Sequence, residues 1–386
     1  MIPFTFNTTA SIRFKEGAAA NLGTECQDTL GKRILFVTDQ GLINIGLAQG
    51  PLESLQQTGV IVTVFDKVEA DPTVDTLIAA VDKARQIGAT GIIGFGGGSS
   101  MDVAKLTALL VGSNENLDEV WGVERAKGPR LPLVLIPTTA GTGSEVTPIA
   151  IMTIGQSEKR GVSSAVILPD LAILDPLLTT SLPASTTAAT GIDAMVHAIE
   201  SYTSRGINNN PISRILATQS LSLLGANIEL AVTDGANIKA RGAMLLGSLL
   251  AGMAFANSPV AAVHALAYPI GGTFHVPHGL SNALVLPHVL RFNAPEAAQE
   301  YAQLAPFIFP DIDTTQIHHK VCDEFIDRIA ALSATVGLQQ TLREVGITES
   351  DLPAMASDAM KQTRLLVNNP RHVTEQDALA IYRAAW

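Results

Sequence analysis

Asp193 and His197 stand four residues apart in Gly191-Ile-Asp-Ala-Met-Val-His197. The stretch from Pro183 to Ser201 reads as helix, so both side chains fall on one face. His264 lies in a second apolar stretch, one turn before Tyr268, and Pro269, Gly271 and Gly272 are expected to end that helix. His278 follows in Pro277-His-Gly279. One carboxylate with three imidazoles suits a divalent first-row ion, Zn2+ or Fe2+. A lone histidine on an apolar helix is more often a satisfied core residue, and residue types alone leave that reading open. Clustering favours the metal: five of the eight histidines, His197, His264, His275, His278 and His288, fall on or near apolar helices late in the chain.

Two loops have a composition suited to phosphate and sugar. Gly94-Phe-Gly-Gly-Gly-Ser-Ser100 directly follows an apolar run and opens a helix containing Met101 to Val111. Glycine lets backbone approach a phosphate, and free amides at a helix N-terminus attract its charge. The same segment would also serve as a tight turn without ligand. It follows the third strand read from the sequence, whereas the ordinary dinucleotide fold places its glycine loop after the first. Pro137-Thr-Thr-Ala-Gly-Thr-Gly-Ser-Glu-Val-Thr147 brings hydroxyls and glycines to the end of another strand, which favours a shared ligand crevice. Asp39 ends the first strand, where a carboxylate can accept from an adenosine ribose and favour NAD over NADP. From position alone, turn chemistry before Gly41 explains it better.

The elements that must carry these groups are legible as apolar runs. Ile34 to Thr38, Ile61 to Phe65, Gly91 to Phe95 and Leu131 to Ile136 read as buried strands. Between the second and third lies a helix whose face is Val74, Leu77, Ile78, Val81 and Ile87, begun after Pro72. Such alternation means a parallel sheet covered on both faces. Ala150 to Ile154 and Ala172 to Leu174 would extend that sheet or add a hairpin. From Pro183 to Trp386 only helical periodicities appear, as in Ile212 to Val232, Ile238 to Ala256 and Phe325 to Val336. The expectation is an α/β domain over residues 1–182, followed by an all-helical domain over 183–386.

Composition narrows the function classes. Hydrophobic residues make up 47% and charged residues 16%, enough for sizeable cores and against disorder. Lysine and arginine number 25 against 36 acids, and no basic run marks a nucleic-acid surface. Cys26 and Cys322 are too few for a disulfide framework and fit a reducing compartment. Met1 to Ala10 lacks the layout of a signal peptide. The most apolar stretch, Ala243 to Ala256, is 14 residues long, short of the roughly 20 a membrane span needs, and reads as a buried core helix. A cytoplasmic enzyme without nucleic-acid or membrane partners is expected.

Taken together, Gly96-Gly-Gly-Ser-Ser-Met-Asp-Val-Ala-Lys105, Pro137 to Glu145, Gly191 to His197, His264-Ala-Leu-Ala-Tyr-Pro-Ile-Gly-Gly272 and Pro277-His-Gly279 resemble the motifs of the iron-containing (group III) alcohol dehydrogenase family, in its order. The resemblance covers most of residues 30 to 290. It implies an N-terminal Rossmann-like domain, a C-terminal helical domain, and an active site between them. It implies that Asp193, His197, His264 and His278 bind Fe2+ or Zn2+, and that Gly97, Gly98, Ser99, Asp102, Thr138, Thr139 and Thr142 serve NAD(P). Asp39 would meet the adenosine ribose, and Lys159 would lie near the cofactor. The implied reaction is hydride transfer between nicotinamide and a small alcohol or carbonyl, with NAD preferred to NADP, in a homodimer or higher homo-oligomer. With one carboxylate and three neutral imidazoles, the loaded site would keep a net positive charge of one.

Two positions depart from the family pattern. Tyr268 stands where many relatives carry a second histidine, so a proton relay is expected from His275, three residues before His278, or less readily from Tyr268. Asp71 stands where relatives often have asparagine near the cofactor. Two enzymatic rivals share the architecture. A metal-independent reductase resembling the maleylacetate reductases would not need all four ligand positions, and a dehydroquinate-synthase-like lyase would need a basic cluster not seen around His264 to His278. A non-catalytic nucleotide-binding protein on the same scaffold would bind nucleotide without metal uptake or hydride transfer.

Overall fold

The computed structural model describes residues 3–155 and 158–386. Among them the strands are β1 (Ser11–Phe14), β2 (Arg33–Val37), β3 (Ile61–Phe65), β4 (Gly91–Gly96), β5 (Gly122–Val123), β6 (Leu133–Pro137), β7 (Ile149–Ile154), β8 (Glu158–Ser163) and β9 (Leu171–Leu174). The chain divides into two compact units, Asn7–Ser181 and Leu182–Trp386 with Met1–Phe6.

In the first unit, six strands form a parallel sheet in the order β1-β9-β6-β4-β2-β3. Every residue of β4 and β6 is buried, as expected of central parallel strands covered on both faces. Alternate residues feed two cores. Leu35, Val37 and Ile92 pack on one side with Leu77, Met101 and Leu109, and Phe36, Ile93 and Phe95 pack on the other with Leu22 and Leu55. The helix Val74–Gln86 starts after Thr73, whose side chain accepts from the Thr76 amide. Ile78, expected on its buried face, is instead 41% exposed, and Ala80 and Ala84 fill the seam.

The two extra strand segments part company. Ala172 to Leu174 joins the main sheet through β9, between β6 and β1. Ala150 to Ile154 lies in β7, which pairs antiparallel with β8 in a separate three-stranded sheet. Neither β1 nor β8 is legible as a strand in the sequence. The first is a four-residue sheet edge with no buried residue, and the second carries Glu158, Lys159 and Arg160.

The second unit is helical. Pro211–Thr233 and Ile238–Asn257 are long and apolar enough to cross a membrane by length and composition alone, and 61% of the second's 18-residue apolar window is buried within the protein. The stretch Ala243 to Ala256 is thus part of a 20-residue core helix, longer than its apolar run. Prolines and glycines end fewer helices than expected. Pro269 lies inside Ala262–Phe274, and Pro287, Pro295 and Pro306 lie inside the 31-residue helix His278–Ile308. Each removes a backbone donor and crowds the preceding turn. Burial of Leu284, Leu286, Val289 and Leu290 along that helix offsets the cost.

Candidate metal centre and cofactor loops

Three helices of the second unit bring carboxylate and imidazole together. Ala184–Thr203 presents Asp193, Ala262–Phe274 presents His264 in its first turn, and His278–Ile308 begins with His278. One ligand atom from each of Asp193, His264 and His278 lies within 4.8 Å of the others. Asp193 Oδ1 stands 3.9 Å from His264 Nε2 and 3.8 Å from His278 Nε2. Two donors each about 2.1 Å from one ion stand at most ~4.2 Å apart, so both Asp193 separations and this donor set fit a single small cation. Asp193 and His264 are buried, whereas the His278 side chain is 45% exposed and leaves the cluster one open side.

His197 is buried on the same helix as Asp193, with its ring stacked 4.7 Å from that of His264 and 4.4 Å from that of Phe255. Gly279 allows this convergence. A Cβ there would stand 2.4 Å from the Ala189 carbonyl oxygen and 3.3 Å from Asp193 Cβ, so any larger residue would push His278 away from Asp193.

Two polar residues that the sequence reading did not single out complete the cluster. Asn282, one turn after His278, is fully buried, and its Nδ2 donates to Asp193 Oδ1 at 2.6 Å and lies 3.3 Å from both His264 Nε2 and His278 Nε2. Glu200 Oε2 is 2.6 Å from His264 Nδ1, and its Oε1 accepts the Val263 amide at 2.7 Å. The signal for Glu200 was present, because Asp193, His197 and Glu200 repeat at helical spacing. Burial alone would raise the Asp193 carboxyl, but the His197, His278 and His264 imidazoles and the Asn282 amide outweigh it and hold it below the usual carboxylate range.

His275 is exposed and caps Ala262–Phe274 with a left-handed φ of 55°, a conformation uncommon for a residue with a side chain. Tyr268 is half-buried, its ring 6.3 Å from that of His278. His288 is pushed down to about 4 by burial, with Arg291 adding to the shift.

In the first unit, Gly97 is the N-cap of Gly98–Ser113, and the hydroxyl loop packs against it. A Cβ on Gly98 would stand 3.0 Å from the Thr142 side chain, and one on Gly97 3.7 Å from Thr139 Oγ1, so the loops approach closely at Gly98 and a larger residue there would press on Thr142. Thr138 donates its amide to the Gly96 carbonyl, and Ser99 Oγ donates to the Ala70 carbonyl. Lys159 pairs with Asp71 and donates to Thr153 Oγ1. Asp39 caps Gln40–Asn44, accepting the Leu42 amide at 3.0 Å, so turn chemistry accounts for one of its oxygens.

Asp102 turns inward. Its oxygens accept from Ser144 Oγ and the Ile151 amide, and the fully buried Lys105 ammonium lies 3.7 Å away while donating to Ser144 and the Ile149 carbonyl. This network ties the glycine-loop helix to the hydroxyl loop, and neither Lys105 nor its neighbour Glu145 stood out in the sequence. Burial pushes the Glu145 carboxyl up to about 7, against a lesser pull from its own backbone hydrogen bond and from Lys105. A raised folded-state value favours the folded state below the unfolded value of 4.5, and that contribution is lost as pH rises through about 7. Glu145→Gln is therefore expected to raise Tm by several degrees at pH 8, from a cost on the order of 3 kcal/mol, and by nothing near pH 4.5. Equal gains at both pH values in thermal melts would refute buried ionisation as the cause.

Comparison with known proteins agrees along nearly the whole chain. Residues 9–176 match the family model for iron-containing alcohol dehydrogenase, and residues 187–386 match that for the C-terminal part of the Fe-containing alcohol dehydrogenase family. The chain is 40% identical to long-chain-alcohol dehydrogenase 1 of Geobacillus thermodenitrificans, over 96% of this chain and 93% of the relative. It superposes on the crystal structure of a 1,3-propanediol oxidoreductase with a TM-score of 0.95 and 36% identity, over 100% of both chains. A sulfoacetaldehyde reductase from Bifidobacterium kashiwanohense, solved in complex with NAD+, matches with a TM-score of 0.87 and 27% identity, over 100% of this chain and 99% of that one. The chain belongs to the iron-containing alcohol dehydrogenase family and is an oxidoreductase of that family.

Proposed function

We propose that Asp193, His197, His264 and His278 hold one divalent ion, Fe2+ or Zn2+, and that the enzyme interconverts a small alcohol and its aldehyde or ketone using NAD. The convergence of Asp193, His264 and His278 carries the metal part of this reading. The cofactor part is supported by the two facing loops and by the NAD+ bound in the reductase it resembles. Gly97, Gly98, Ser99, Thr138, Thr139 and Thr142 line the proposed nucleotide path, with Asp39 toward the ribose and Lys159 beside it. Asp102, both oxygens already committed, acts there by holding the loops.

The ion, when bound, supplies Lewis acidity toward an alcohol or carbonyl oxygen, and the nicotinamide supplies or accepts the hydride. The chain's own residues set the charge that surrounds this chemistry. One carboxylate was counted from the sequence, leaving a net charge of plus one, but Glu200 adds a second at the His264 ring. Two carboxylates against a divalent ion leave a neutral first environment. Asn282 orients Asp193, and His278 faces the open side where substrate would enter.

His275 is proposed to relay the alcohol proton in place of the family's second histidine, since tyrosine ordinarily titrates near about 10. His275→Gln is expected to keep full metal content while lowering the kcat of alcohol oxidation several-fold, and Tyr268→Phe to matter less. Loss of turnover in Tyr268→Phe with His275→Gln unaffected would move the relay to Tyr268.

Relatives named for long-chain alcohols, 1,3-propanediol and sulfoacetaldehyde support a primary alcohol or aldehyde substrate. We also propose a cytoplasmic homo-oligomer of at least two copies. The free, buried thiols Cys26 and Cys322 favour the former, and the exposed Ile212, Ile215 and Leu230 of Pro211–Thr233 favour the latter. The decisive experiment is anaerobic metal analysis coupled to NADH oxidation over a panel of aldehydes. Full turnover without stoichiometric metal would refute the reading.

A further inference from the structure

We propose that Glu200 is a positioning residue of the metal centre, whose carboxylate keeps the His264 proton on Nδ1 and thereby presents Nε2 as the donor atom. The inference rests on the reading of Asp193, His264 and His278 as ligands.

A neutral imidazole carries one proton on either of its nitrogens, and the partner of one nitrogen decides the role of the other. Glu200 Oε2 stands 2.6 Å from His264 Nδ1 inside a buried environment. An ionised carboxylate has only acceptors, so the short contact requires Nδ1 to be the protonated nitrogen. The lone pair then lies on Nε2, which faces Asp193 Oδ1 at 3.9 Å. With the opposite tautomer, an N–H would point into the cluster and no ion could bind there through His264.

Glu200 is itself held in place. Its Oε1 accepts the Val263 amide at 2.7 Å, a backbone group at the start of the helix that carries His264. One carboxylate on Ala184–Thr203 therefore clamps both the backbone and the ring of the facing helix. Asp193 and Glu200 both stand on Ala184–Thr203, so one helix supplies ligand and clamp. Partners of this kind orient the ring and raise the basicity of the nitrogen that binds metal.

Glu200→Gln tests the idea with little change of shape. A glutamine has one oxygen and one NH2, yet two N–H donors face it, from Val263 and from His264 Nδ1. If the oxygen keeps Val263, the NH2 turns to Nδ1, which must then accept, and the ring proton moves to Nε2. Two measurements on the full chain follow. Long-range 1H–15N correlations of the metal-free, histidine-labelled protein should show His264 protonated at Nδ1 in the wild type and at Nε2 in Glu200→Gln. Competition with a chromogenic chelator should show Zn2+ affinity lowered by about 10- to 100-fold in the variant.

A merely structural role would leave the tautomer unmoved. An Nε2-protonated His264 in the wild type overturns the proposal, and it does so even if the variant does not fold. Wild-type Zn2+ binding with unchanged affinity and tautomer in Glu200→Gln overturns this inference and leaves the ligand set intact. Failure of the wild type to bind Zn2+ takes down both.

Discussion

His264→Ala is expected to empty the metal site and to lower kcat/KM by at least ~1000-fold, on the order of 4 kcal/mol of transition-state stabilisation. Among the proposed ligands, His264 is held from several sides. It is buried, faces Asp193 through Nε2, is held by Glu200 through Nδ1, and stacks on His197. Truncation removes a donor and also leaves the Glu200 carboxylate buried with only the Val263 amide, so the fold should lose stability as well. Metal content is therefore to be measured per mole of folded protein, alongside thermal melting. The incomplete site cannot hold the ion against a chelator that the wild type resists. A His264→Ala enzyme with full metal and full turnover would show that the cluster is an ordinary buried polar network.

Asp39→Gly is expected to narrow the ratio of NAD to NADP in kcat/KM by tens-fold, on the order of 2 kcal/mol for a charge contact at the 2′ position. The carboxylate would repel a 2′-phosphate and accept from the ribose hydroxyls. Because Asp39 also caps Gln40–Asn44 through Leu42, glycine removes the cap together with the charge. Asp39→Asn separates the two effects, since asparagine caps as well as aspartate and carries no charge. The narrowing should appear in both variants, with a loss of thermal stability confined to glycine. An unchanged cofactor ratio in both would reduce Asp39 to its cap.

Much of the first unit was legible because burial on both faces writes itself into the chain. A central parallel strand must be apolar at every position, so Ile34 to Val37, Gly91 to Phe95 and Leu133 to Ile136 stand out as runs. An edge strand carries no such demand, and β1 stayed hidden for that reason, whereas β8, the middle strand of the small sheet, was masked by Glu158, Lys159 and Arg160. Proline misled in the second unit. It is a local helix breaker, but the long helix His278–Ile308 is stabilised by packing with distant residues, which no local pattern records.

By itself the sequence determined the donor types of the candidate centre, the pairing of Asp193 with His197 on one helical face, and the family to which the chain belongs. Helical periodicity and motif order are local properties, and both survive in one dimension. Only the tertiary structure decided which side chains meet. Asp193 and Asn282 are 89 residues apart, Glu200 and His264 are 64 apart, and Gly279 is required only because Ala189 lies against it. Lys105, Asp102 and Ser144 acquire their roles in the same way, through loops brought together by adjacent strands of the sheet. The physical reason is burial. A polar group withdrawn from water must find a partner, and which one it finds is settled by packing across the fold rather than by position along the chain.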